Sequence, residues 1–103
     1  MRGTRFVVQS APMHPGEEDL QTLRREVDAL DRALVGLLAD RRAAVTRIAV
    51  LKRGLGMPGR DPVRERAILE GMMEAGADRG VPRALVARVL EAVLEDSRDI
   101  VGG

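Results

Sequence analysis

Between Leu20 and Leu51 apolar residues return every three or four positions. One row runs through Leu20, Val27, Leu34 and Ile48, and a second through Leu23, Leu30, Leu37, Ala44 and Leu51. Two offset rows with seven-residue spacing make a single apolar seam along a helix. The pattern predicts one long helix over 18–53. Glu17, Glu18 and Asp19 suit its positive end, and Lys52 and Arg53 suit its negative end. Gly36 is a mild weakness in the interior. At about 1.5 Å per residue this helix is about 50 Å long, more than the rest of a small chain can cover. The seam therefore calls for a partner chain.

The segment "GLGMPG" (54–59) reads as a loop. A second helix is expected from about Pro62 to Ala77, with Asp61 as N-cap, Pro62 in the first turn, and Ile68, Leu69, Met72 and Met73 as its apolar content. "ADRGVP" (77–82) reads as a turn. Pro82 then opens a third helix to about Val101, whose inner stripe is Val86, Val89, Leu90, Val93, Leu94 and Ile100. Residues 1–17 hold Pro12 and Pro15 and lack periodicity, and are read as a flexible N-terminal tail with a short extended piece at Phe6–Gln9. His14 lies in this tail and is read as inert. The expected architecture is all-α: one long helix and two shorter ones in a single domain, 18–103.

Composition narrows the function. The formal charge is +1, so no global field points to nucleic acid or membrane. The cationic run Arg41, Arg42, Arg47, Lys52 and Arg53 lacks aromatic partners for stacking bases, since Phe6 is the single aromatic residue. Cysteine is absent, which excludes disulfides and thiolate chemistry and fits a reducing compartment. No apolar run approaches the roughly 20 residues needed to span a bilayer, and the N-terminal apolar run is too short for a signal-peptide core. The expectation is a cytoplasmic protein.

Several charges stand where the pattern wants hydrophobes. Arg41 fills the seam position between Leu34 and Ile48, and a charge there costs several kcal/mol unless paired. Lys52 follows it by eleven residues, about 20° around the helix and about 16 Å along it. Two long cations thus converge on one stretch of one face. In the second helix Asp61, Arg64, Glu65, Ile68 and Met72 share the 3–4 spacing, which sets Arg64 and Glu65 in line with the inner stripe. Ser97 falls on the inner stripe of the third helix, though a lone inward serine often only bonds back to its own helix. Together these residues suggest a cation-rich polar pocket carrying one carboxylate. Arg24 flanks the seam about 26 Å from Arg41, too far to share its pocket within one chain. An antiparallel partner helix would bring it to the partner's pocket.

"LRREVDALDRALVGLLADRRAAVTRIAVLK", then "RDPVRERAIL" and "VLEDSRDI", resembles the all-helical (type II) chorismate mutases over residues 20–101. The resemblance implies an intertwined homodimer in which long first helices are shared between two active sites. It implies that Arg24 is contributed by the other protomer, that Arg41 binds a substrate carboxylate, and that Lys52 binds a carboxylate and the ether oxygen. Asp61 (through its backbone) and Glu65 would bind the ring hydroxyl, and Arg64 and Ser97 would hold the ring-carboxylate end. Many members carry Gln or Glu one turn after the serine, aimed at the ether oxygen. Here Val101 stands there, and valine donates no hydrogen bond.

The implied activity is the intramolecular [3,3] rearrangement of the dianion chorismate to prephenate, which requires no cofactor, metal, nucleophile or proton transfer. Two sibling substrates suit the same fold, isochorismate and 4-amino-4-deoxychorismate; the latter places a cation beside Glu65. A reading of another class is a non-catalytic helical dimer that regulates a partner enzyme.

Overall fold

The computed structural model describes residues 15–102. The expected extended piece at Phe6–Gln9 and His14 lie outside the described residues. Three helices follow one another: α1 (Glu17–Leu55), α2 (Pro62–Asp78) and α3 (Arg83–Val101). Among the described residues there is no strand.

Each boundary has a local cause. α1 carries Glu17, Glu18 and Asp19 in its first turn and Lys52 and Arg53 in its last, matching the helix dipole at both ends. Its C-terminus is closed by Gly56 at φ 69°, where a left-handed turn suits glycine. Gly56 N–H then donates to the Arg53 carbonyl at 3.2 Å and Met57 N–H to the Lys52 carbonyl at 2.9 Å. This paired closure satisfies carbonyls that the helix end would leave open. At the start of α2 the Asp61 side chain accepts from Arg64 N–H at 3.1 Å, the N-cap that the sequence predicts. Pro82 precedes α3 as its N-cap rather than opening it as the first helical residue. At the far end Gly102 takes the left-handed conformation and donates to the Arg98 carbonyl at 3.0 Å. The helix is thereby held through Val101.

The chain divides into two compact units, one up to Leu38 and one from Ala39 onward, with the division inside α1. In the first unit residues 17–38 are helical, and their large apolar side chains are exposed, Leu30 at 68% and Leu37 at 66%. In the second, α2 lies against α3. Gly76 has no room for a side chain, because a Cβ would stand 2.7 Å from a Val86 methyl. Ala49 of α1 and Leu94 of α3 are the buried apolar residues among those described. These two anchors give a slight core, and large apolar side chains along α1 lie open to water.

The inner stripes differ from expectation in two places. Met72 is 45% exposed, and the half-buried row of α2 is instead Glu65, Ile68, Leu69, Met73 and Gly76. Likewise Val89 is 43% exposed, while Val86, Leu90 and Val93 are half-buried. In the pairs Met72–Met73 and Val89–Leu90 it is the second residue that lies nearer the packed face and the first that turns toward water.

Candidate active site

In the second unit the helices enclose a cleft of about 250 Å³. Arg41, Val45, Ile48 and Lys52 of α1 line one wall, at spacings of four, three and four that keep them on one face. Asp61, Arg64, Glu65 and Ile68 come from the start of α2, with Gly59 from the loop before it. Leu94, Ser97, Arg98 and Val101 come from α3. The charged lining is four cations against two carboxylates, a net charge of +2.

Arg41, Lys52, Glu65 and Arg98 each have a hydrogen-bond partner within the chain. The Arg41 guanidinium donates through Nη1 to Ser97 Oγ. Ser97 donates in turn to the Val93 carbonyl at 3.1 Å, the back-bond to its own helix. Its proton is therefore committed, and the hydroxyl must rotate to donate to a ligand. Lys52 Nζ donates to the Gly59 carbonyl at 2.9 Å. The α1 closure at Gly56 turns the chain back far enough for this contact. Gly59 must be small here, because a Cβ would run into the Val101 carbonyl. The loop that anchors the lysine is thus packed directly on the end of α3.

Glu65 is well enclosed, its side chain 19% exposed. Its Oε1 accepts from Arg98 Nη1 at 3.0 Å and, more weakly, from Arg60 Nη2 at 3.5 Å. Outside the cleft, Arg42 and Asp96 pair at 2.9 Å, with the arginine mostly in water and the aspartate partly so, so little stability rests on them.

The arrangement can bind a dianion of small size. Arg41, Lys52 and Arg64 remain as cations after Arg98 and Glu65 offset one another, and Asp61 is engaged as a helix cap. Among the described residues no group of His, Cys, Asp or Glu is placed to hold a metal ion, and no helix is long and apolar enough to cross a membrane.

The sequence profile of the chorismate mutase type II family matches residues 23–101. The chain belongs to that family. Relatives of this chorismate mutase family chain include the bifunctional chorismate mutase/prephenate dehydratase of Enterobacter agglomerans, 35% identical over 82% of this chain and 22% of the relative. The T-protein of the same organism is 34% identical over 77% of this chain and 21% of its own length. The chain thus spans about a fifth of the length of these curated relatives. The chorismate mutase of Methanocaldococcus jannaschii is 25% identical over 79% of this chain and 82% of its own length.

The cleft brings together seven of the eight residues singled out from the sequence: Arg41, Lys52, Asp61, Arg64, Glu65, Ser97 and Val101. Arg24 is not among its lining residues; it lies in the first unit, exposed on α1. Sequence reasoning missed Arg98 and Gly59. The signal for Arg98 was present, since it stands four residues after Leu94 on the inner face of α3. For Gly59 the contribution is a backbone carbonyl, which no side-chain pattern announces.

Proposed function

We propose that this chorismate mutase family domain, 18–103, rearranges chorismate to prephenate, in the cytoplasm and as an intertwined homodimer with shared active sites. The observation that carries the reading is the cleft itself: a net charge of +2 on rigid helices, sized for a small dianion, with Lys52 fixed beside it. Family membership over 23–101 supports it independently.

The reaction breaks a C–O bond and forms a C–C bond in one step within one molecule. The protein must hold the substrate folded and stabilise charge on the departing ether oxygen. Arg41 and Arg64 address the carboxylates and fix the folded shape, which removes rotational freedom before the barrier. Lys52 meets a carboxylate and the ether oxygen, where negative charge grows in the transition state; one preorganised donor of this kind contributes about 3–4 kcal/mol. Because its ammonium already rests on the Gly59 carbonyl, little reorganisation is needed. Glu65 and the backbone of Asp61 receive the ring hydroxyl, and Ser97 assists Arg64 at the ring carboxylate. Arg24 completes the cleft of the other protomer. The exposed seam of α1 supports this dimer, since a second copy of the same seam would cover Leu23, Leu30 and Leu37.

The test is incubation of the purified chain with chorismate and identification of the product. Prephenate formed at an enzymatic rate supports the reading. Pyruvate release, or unchanged chorismate with helicity intact, contradicts it.

A further inference from the structure

Arg98 is the one cleft cation whose guanidinium is spent on a carboxylate of the same cleft. Its Nη1 lies 3.0 Å from Glu65 Oε1, and Arg60 approaches that same oxygen at 3.5 Å. Neither cation takes Oε2, so one carboxylate oxygen is engaged and the other is left for a donor on a ligand. Arg98 is one-third exposed and Arg60 about half, so the pairing with Arg98 is both the shorter and the less screened. The remaining cleft charges, Arg41 and Lys52 on α1 with Asp61 and Arg64 on α2, are committed to other partners or open to the ligand's carboxylates.

We propose that Arg98 is a positioning residue that sets the charge preference of the cleft: by offsetting Glu65 it fits that corner to a neutral ring hydroxyl and disfavours a ring ammonium. This rests on the reading that Glu65 receives the ring substituent of chorismate. The argument is one of charge matching. The lining of one chain carries +2 with Arg98 and +1 without it, and Arg24 of a second protomer would add the same charge to both. What Arg98 changes is therefore the local charge at the ring substituent: an offset Glu65 suits a neutral hydroxyl, and a less offset one suits a protonated amine. Without Arg98, Glu65, no longer paired across 3.0 Å and left only with the longer and more exposed Arg60 contact at 3.5 Å, would offer more of its charge to the ammonium.

The experiment compares kcat/KM for chorismate and for 4-amino-4-deoxychorismate in the parent, Arg98→Gln, Arg98→Met and Arg98→Lys, with helicity measured for each. The parent should prefer chorismate. In Arg98→Gln and Arg98→Met the preference should fall by about tenfold or more, while Arg98→Lys keeps it within about threefold, because it keeps the charge. A role in packing alone would lower both rates together and leave their ratio unchanged. An unchanged ratio in either folded, uncharged variant overturns the proposal, as does loss of helicity in both, which would assign Arg98 to holding the fold. If the parent itself turns over no chorismate, the underlying reading fails and takes the proposal with it. That failure shows in the parent, whereas a failure of the proposal alone shows only in the variants.

Discussion

From Leu20 to Leu38, α1 leaves its large apolar side chains in water, while from Arg41 to Lys52 the same helix half-buries an arginine and a lysine. Water solvates charge well and hydrocarbon poorly, so each stretch taken alone is arranged against the ordinary preference. The two departures have different remedies. Arg41 and Lys52 already have partners within the chain, Ser97 and the Gly59 carbonyl, and further need only an anionic ligand. Leu23, Leu30 and Leu37 have no apolar cover, and a ligand of small size cannot provide it. One stretch offers half-buried cations that a small anion can satisfy, and the other an apolar seam that the proposed second chain would cover.

The sharpest way to break this comparison is at Lys52. On the proposed reading, Lys52→Ala should lower kcat by about 100- to 1,000-fold, because charge on the ether oxygen develops mainly in the transition state, with a smaller rise in KM from the lost carboxylate contact. Arg41→Ala should lose binding as well, since its carboxylate partner is charged from the outset. Steady-state kinetics on both variants separate the two. Normal turnover by Lys52→Ala would remove lysine from the mechanism.

The apolar stretch is probed by Leu30→Ala. A leucine in water contributes almost nothing, whereas one buried between chains costs about 2–4 kcal/mol on truncation. Urea unfolding at fixed protein concentration reads the difference. A change below about 0.5 kcal/mol would mean that water is the permanent cover of the seam.

A smaller effect is expected at the end of α3. Val101 is half-buried and lines the cleft, and Gly102 caps the helix beyond it, so position 101 is held in the site rather than frayed. Val101→Gln would add a donor near the ether oxygen and should raise the chorismate rate about 5- to 150-fold. An unchanged or lower rate with helicity intact would mean that valine is not what limits turnover.

Much of this is legible in the sequence. The long period of α1, the Asp61–Pro62 start of α2 and the glycine turns are local signals, and local signals fix boundaries to within a residue or two. Misplaced charges such as Arg41 and Glu65 were legible because periodicity makes an inward charge conspicuous. What stayed hidden was tertiary. Whether Met72 or Met73 turns inward depends on the angle at which α2 meets α3. The inward register of Arg98 follows from its spacing to Leu94, but its pairing with Glu65, 3.0 Å away across two helices, does not. The Gly59 carbonyl becomes a lysine acceptor only because the loop folds back under Val101.

The claim that joins the two stretches is that Arg24 of one chain serves the cleft of another. Arg24→Ala and Arg41→Ala should each be nearly inactive as homodimers. When the two are unfolded together and refolded in equal amounts, half the dimers are mixed, and each mixed dimer carries one site with both arginines intact. Activity should then recover to roughly a quarter of the parent's. Recovery to about that level, with mixed dimers verified by native mass spectrometry, is the predicted result. Mixed dimers that form and stay as inactive as either variant alone would contradict shared sites.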